Sequence, residues 1–378
     1  MKLQIRTEIC IRVFLYVPSL LVLFFLLSGC NYRKPVVPPV PVPQFRFIVD
    51  TLYPTSPVAN QGRTSNCWAY SMASFIETEN VLRSLPGDTL QLQFQLLSPE
   101  YMVRQKFQAQ FDLSLRSGKM KITSGALGHT ALDIFRHQGV IPVEAFTETH
   151  VPCPDYIKVS RRLRLLAHTA AWLPTTKNRV RRSGQYLLDE EFGILPDTFL
   201  YQGRQYTSQT FAASLPALSQ EYVELTSFCN YPYYTSCHLA LPDNWERAPF
   251  YNLPLDSLLT VMRNALQSGY TLVWDGDVSE PTFSSRGGVA WLPPGTPLDE
   301  ATRLDAFLRG ETSDDHMMHF VGLAHNVSGA RFFIAKNSVG PIGPYKGYVY
   351  LSEEYIRLKT ISVVVNKKCV EGYPDIIP

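Results

Sequence analysis

The chain has 378 residues, which at about 150 residues per domain allows one large domain or two to three small ones. A composition of 45% hydrophobic, 18% charged and 12% aromatic residues is that of a globular protein and excludes collagen, coiled coil and wholesale disorder. Lys plus Arg number 35 against 33 Asp plus Glu, so the net charge of +2 gives no general electrostatic reason to bind nucleic acid, and seven cysteines are too few for a disulfide-built scaffold.

At the N-terminus Lys2, Arg6 and Arg12 precede an apolar run from Val13 to Leu27, followed at once by Ser28, Gly29 and Cys30. Charged, apolar and small-residue regions in that order make an export signal. The run contains Pro18 and Ser19 and falls short of the roughly 20 residues of a spanning helix. Leu27-Ser28-Gly29-Cys30 resembles the bacterial lipobox. That resemblance implies a signal peptide over 1–29, lipid on Cys30 and attachment to a membrane of the bacterial cell envelope. Pro35, Pro38, Pro39, Pro41 and Pro43 then impose extended polyproline, at about 3.1 Å per residue, on a tether spanning 30–44. Residues 45–378 show no repeat or low-complexity tract and are expected to form one domain.

Within that domain, Trp68, Met72, Phe75, Ile76 and Leu82 recur at helical spacing, which predicts a helix over 67–84, with Ser65 or Asn66 as its cap and Pro86-Gly87 as its stop. Further helices are expected at 99–110, 126–137 and 255–268. Strands are expected at 316–323, 331–336, 348–351 and 361–366, where β-rich runs are separated by Gly, Pro and Asn. Helices first and strands last predict an α+β fold with the two kinds of element segregated.

The loop Asn60-Gln61-Gly62-Arg63-Thr64-Ser65-Asn66 delivers Cys67 to the first turn of the first helix. A thiolate there faces unpaired backbone N–H groups and the positive end of the helix dipole, which predicts a lowered pKa and a usable nucleophile. The Gln61 amide, with the Cys67 N–H, is placed to donate to an oxyanion. Near the other end, Asp315-His316-Met317-Met318-His319 and Ala335-Lys336-Asn337-Ser338-Val339-Gly340 pair a strand histidine with an asparagine. Cysteine catalysis needs a base and a group that holds the imidazole in one orientation, and an Asn oxygen can do the second.

Gln-Gly-x-x-x-x-Cys-Trp, His-x-Met and Lys-Asn-Ser-x-Gly in that order resemble the papain-like cysteine peptidases. Leu97-Ser98-Pro99-Glu100-Tyr101, Gly139-Val140-Ile141-Pro142, Val273-Trp274-Asp275-Gly276-Asp277-Val278, Lys346-Gly347-Tyr348, Ser352-Glu353-Glu354-Tyr355 and Val363-Val364-Val365-Asn366-Lys367-Lys368 look like the bleomycin hydrolase and aminopeptidase C branch. The resemblance covers roughly residues 57–368. It implies a two-lobe fold, a helical lobe with the nucleophile and a strand-rich, barrel-like lobe with the His and Asn. It makes Cys67 the nucleophile, His316 the general base and later acid, Asn337 the orienter and Gln61 the oxyanion donor. Gly125 and Trp68 become candidate substrate contacts.

The implied activity is cysteine-type peptide hydrolysis through an acyl enzyme, as an aminopeptidase rather than an endopeptidase, with a peptide as substrate and no cofactor or metal. An amide-directed enzyme of the cell wall and a catalytically weak peptide-binding lipoprotein are the alternatives. Two departures stand out. Val339 replaces the family's Trp, which predicts a wetter His–Asn pair, and Ser124-Gly125-Ala126 replaces a Gly-Gly pair. In the branch the C-terminal tail lies in the cleft, whereas only Cys369 to Pro378 follow the last matching strand here.

Several features read as ordinary. His316 and His319 stand an odd number of positions apart on a strand and so face opposite ways, which argues against a metal site. His129, His137, His238 and His325 have no partner legible in the sequence. Eight Lys or Arg and no acid lie between Lys158 and Arg182, which reads as a solvated face balanced by Asp189, Glu190 and Glu191, with docking on anionic lipid headgroups or polyanions as the alternative. Cys229 and Cys237, with a short turn between them, are the best local disulfide pair; Cys153 and Cys369 complete the cysteines of the domain besides Cys67.

Overall fold

The computed structural model describes residues 43, 45–84, 93–118, 122–146 and 154–374. The signal segment, Cys30, nearly all of the tether, Pro86-Gly87 and Cys153 lie outside the described residues. All described residues belong to one compact unit, Val42–Pro378, which holds every core cluster. Among them, no helix is long and apolar enough to cross a membrane.

The Cys67–Ser84 helix buries most of its length, from Trp68 and Met72 through Phe75 and Ile76. Ser98 caps the next helix, Pro99–Ser117, accepting from the Tyr101 N–H with Pro99 in the first turn. This helix outruns the predicted 99–110 because Phe111, Ser114 and Leu115 continue its buried face. Ser98 N–H also donates to the Ile141 carbonyl at 2.9 Å, so two of the motifs quoted above are one contact in space. The third helix runs Gly128–His137. Beyond it, two helices not expected as such, Tyr156–Trp172 and Lys177–Phe192, form a hairpin that buries Val159, Leu163, Val180, Leu187 and Leu188 against the same core. Gly184 is required there: a Cβ would meet the Phe111 ring at 2.1 Å.

The strands make an 11-stranded sheet. From one edge its order is Thr235–Cys237, Phe250–Asn252, Tyr222–Thr226, Thr360–Asn366, Leu272–Gly276, His316–Asn326, Arg331–Lys336, Tyr348–Ser352, Val289–Ala290 and Phe283–Ser284. Phe47–Leu52 pairs with the second half of the His316 strand, and Leu272–Gly276 with its first half. Alternate residues serve two cores, as a period of two requires. Val273, Met317 and Val364 meet the Cys67 helix, whereas Trp274, Met318, Val363 and Val365 meet the Leu255–Gln267 helix and Tyr355 and Ile356 of the Glu353–Lys359 helix. The helix-rich and strand-rich halves are therefore segregated along the chain, as expected, with the Cys67 helix packed across one face of the sheet.

Candidate active site

Cys67 is the first residue of its helix and half-buried. The backbone N–H groups of Trp68 and of Met317, the neighbour of His316, are directed at its sulfur. The lowered pKa expected from the helix terminus is not what the surroundings give. Burial pushes the thiol up to about 11, the two amides pull it down by less, and the charges of Asp243 and Asp315 push it further up. Removing solvent from a thiolate costs more here than the helix end returns.

His316 opens its strand opposite Gly276, and Asn337 follows directly on the antiparallel Arg331–Lys336 strand, so the hairpin brings them to one end of the sheet. Asn337 Oδ1 lies 2.9 Å from His316 Nε2 and accepts the Ser338 N–H at 2.7 Å. Two donors on one oxygen fix the amide's orientation and make Nε2 the protonated ring nitrogen. Burial lowers the His316 pKa from its usual 6.5, opposed by the Asn337 bond and the Asp315 charge. The ring is thus neutral near pH 7 and able to take a proton. Asn337 is only 3% exposed despite Val339. The Asn60–Val339 bridge, Gln61 N–H to Ser338 O at 2.8 Å and Gly340 N–H to Ala59 O at 2.9 Å close the chain over it, so the pair is drier than the missing Trp predicts.

Gln61 is held at both ends of its amide. Its nitrogen donates to the Thr64 carbonyl at 2.8 Å, and its oxygen accepts from Ser338 Oγ at 2.5 Å, leaving one N–H of the amide for another acceptor. Trp68, expected as a substrate contact, is fully buried in the core and packs the helix instead. Gly125 lies against a carboxylate: a Cβ there would stand 1.8 Å from Asp243 Oδ2.

Asp243, Asp315 and Asp275 are acids whose charges reach the catalytic groups, and the charge of Asp314 reaches these acids in turn. Asp315 adjoins His316, and the pKa of its carboxyl is pushed up to about 6 by burial, although the Val278 N–H donates to it at 2.8 Å. Asp314 is pushed up to about 7 by burial and by Asp243, with Oδ2 buried and unpartnered. Asp275 lies on the Leu272–Gly276 strand opposite Met317, 1% exposed, with Oδ2 unpartnered; burial raises it well above the usual carboxylate range, and Asp314, Cys67 and Asp315 add to that. Lys106, itself lowered to about 7 by burial, is held up in part by the charge of Asp243. Asp315 and Asp275 stand within motifs quoted from the sequence, neither with a role of its own, whereas no local signal marks Asp314 or Asp243, the latter far along the chain from Gly125.

Behind the site runs a buried polar chain. Lys336 Nζ donates to Ser56 Oγ and Ser74 Oγ, each at 2.8 Å; Ser56 donates to Glu77; and Ser74 Oγ is 2.9 Å from His319 Nδ1. A cavity of about 610 Å³ opens between this chain and Gln61, Asn337 and Ser338; neither Cys67 nor His316 lines it. His129, partnerless in the sequence, meets Glu224 at 2.7 Å and Glu246 at 3.4 Å, and His325 meets Asp50 at 2.8 Å. Cys229 and Cys237 are free thiols: Cys237 is buried in its strand while Cys229 Sγ turns to the Glu300 carbonyl at 3.7 Å. The described part of the tail goes elsewhere than expected for the branch. Cys369 and Tyr373 pack on the core of the opposite sheet face, and Tyr251 Oη donates to the Pro374 carbonyl.

No protein-family model matches the chain, and no curated protein matches it. Among solved structures, the crystal structure of PepW from Lactobacillus rhamnosis HN001 superposes with a TM-score of 0.67 at 17% identity, covering 85% of this chain and 82% of that one. The fold is papain-like. The papain-like neighbours also include xylellain, a cysteine protease from Xylella fastidiosa (TM-score 0.40, 16% identity, 85% of this chain and 87% of that one), and the ragweed pollen cysteine protease Amb a 11 in its proform (0.39, 14%, 86% and 66%).

Proposed function

We propose that the chain is a cysteine peptidase of the bleomycin hydrolase type, an aminopeptidase in preference to an endopeptidase, held at a membrane of the bacterial cell envelope by lipid on Cys30. The observation that carries the catalytic reading is the His316–Asn337 bond at the end of the sheet where Met317 N–H meets Cys67. His316 Nδ1 takes the Cys67 proton as the sulfur attacks the peptide carbonyl, forming the C–S bond. The oxyanion is met by the Cys67 N–H and the remaining N–H of Gln61. The imidazolium returns the proton to the leaving amine as the C–N bond breaks, and water, deprotonated by His316, then releases the acyl group and the thiol.

The aminopeptidase preference takes no support from the tail, whose described residues lie on the other sheet face. Its support is the pair of acids whose charges act on Cys67: Asp243 over Gly125, with Asp315 beside His316, suits a substrate whose α-ammonium comes close to the scissile bond. A peptide-binding lipoprotein of low activity is the second reading, favoured by the thiol at about 11.

The test compares kcat/KM for a peptide with a free N-terminus and for its N-acetylated form, with Cys67→Ala as control. Cleavage of the free form at least about tenfold faster, and absent in Cys67→Ala, supports the aminopeptidase; equal cleavage overturns that preference alone. Binding without cleavage selects the second reading, and cleavage confined to cell-wall peptides selects an amidase.

A further inference from the structure

The hairpin of helices Tyr156–Trp172 and Lys177–Phe192 presents its outer surface to solvent, and that surface is two-faced in composition. On the first helix Arg161, Leu165, His168 and Trp172 recur at spacings of four, three and four, which puts them on one exposed stripe. On the second, Arg179, Arg182 and Tyr186 do the same. Leu165, Tyr186 and Trp172 are 69%, 70% and 84% exposed, Trp172 at the tip of the hairpin with Leu173 beside it. Between the stripes lies a groove of about 510 Å³, lined by Leu165, Leu166 and Tyr186 and walled by Arg162, Arg179 and Arg182.

The charges of this surface are not balanced in the way the sequence suggests. Lys158 and Arg162 pair with Glu190 and Glu191, and Arg181 with Asp112. Arg161, Arg164, Lys177, Arg179 and Arg182 have no carboxylate partner among the described residues. Guanidinium groups keep their charge at any physiological pH and bind phosphate oxygens through paired N–H groups.

We infer that this hairpin face docks on an anionic phospholipid surface, arginines on the headgroup phosphates and Trp172, Leu173 and Leu165 in the interface. Exposed aliphatic and indole groups gain from a lipid interface, where Trp collects, and gain nothing along a nucleic acid backbone. A second copy of the chain is disfavoured, because a two-fold interface would set like-charged arginine faces against each other. The inference does not rest on catalysis; Cys67→Ala protein is expected to dock equally.

The test uses residues 42–378, which contain every described core. Binding is measured by co-sedimentation with phosphatidylcholine vesicles that do or do not carry about 30% phosphatidylglycerol, at about 0.1 M and 0.5 M salt. The expected result is at least about tenfold tighter binding to the anionic vesicles at low salt, weakened at high salt. Trp172 emission is expected to shift to the blue on binding, a shift lost in Trp172→Phe. The double variant Arg179→Glu, Arg182→Glu is expected to lose the anionic preference about tenfold or more, with an unchanged melting curve since both side chains are exposed. Equal binding to both vesicle types, or undiminished binding by the double variant, overturns the inference. So does binding to duplex DNA as tight as to anionic vesicles, which makes the face a polyanion site. A lipid-independent dimer abolished by the double variant also overturns it.

Discussion

His316 Nε2 donates to Asn337 Oδ1 across 2.9 Å, and the Ser338 N–H holds the same oxygen at 2.7 Å. The ring is therefore oriented by an amide that is itself oriented by the backbone, which leaves Nδ1 for proton exchange with the thiol. A hydrogen bond to a group that becomes charged during the reaction contributes about 1.5–3 kcal/mol, or roughly 10–100-fold in rate. Asn337→Ala is expected to lower kcat by about that factor with little change in KM. An unchanged kcat would show that the ring is held by something else.

The protonation states set the pH behaviour. With Cys67 pushed up to about 11 and His316 lowered below 6.5, the resting pair at pH 7 is thiol and neutral imidazole rather than an ion pair. Alkylation of Cys67 by iodoacetamide is expected to climb about tenfold per pH unit from pH 7 to about 10, because each unit below the pKa costs a factor of ten in thiolate. A plateau between about pH 5 and 8, the sign of a preformed thiolate, would contradict this assignment.

Gly125 and Asp243 form a contact that only glycine permits, since a Cβ would stand 1.8 Å from Asp243 Oδ2. Gly125→Ala is expected to displace Asp243 and raise KM for free-amine peptides several-fold, while Asp243→Asn at the same site raises it by roughly 10–100-fold, the worth of one charge-assisted bond. Neither change is expected to alter KM for acetylated peptides. Equal effects on both substrates would remove Asp243 from amine recognition.

Lys336 reaches Ser56 and Ser74 from inside the sheet, and Ser56 links it to Glu77, which also accepts the Leu97 N–H at 2.8 Å. Lys336→Met leaves a buried carboxylate without its cation and is expected to cost about 3 kcal/mol, read as a lower urea midpoint with an unchanged slope. Adding Glu77→Gln is expected to restore part of the loss, because the two residues act as one unit.

Much of this was legible in the sequence wherever the signal is local. The Cys67–Ser84 helix and the Arg331–Lys336 strand match their predicted bounds, because apolar periodicity and apolar runs lie within the segments themselves, although the Asn66 side chain expected as a possible cap lies buried without a partner. His316 and Asn337 meet because a hairpin of predicted strands aligns them, and the Met317 N–H places Cys67 at the same end of the sheet. What escaped depends on distant parts of the chain. His129 finds Glu224, Asp243 finds Gly125, and the arginine run between Lys158 and Arg182 splits into paired and unpaired charges only once two helices pack. The Cys67 pKa departs from expectation for the same reason: the helix terminus is local, but the burial that outweighs it arises only in the folded chain.

The most direct measurement of the central claim is mass spectrometry of residues 42–378 after exposure to a peptidyl epoxide or chloromethylketone at neutral pH, in parallel with His316→Ala protein. The account predicts one adduct per chain, on Cys67, formed at least about a hundredfold faster than on exposed Cys229 and slowed about a hundredfold in His316→Ala. Labelling of Cys229 at the same rate as Cys67, unaffected by His316→Ala in folded protein, would contradict it.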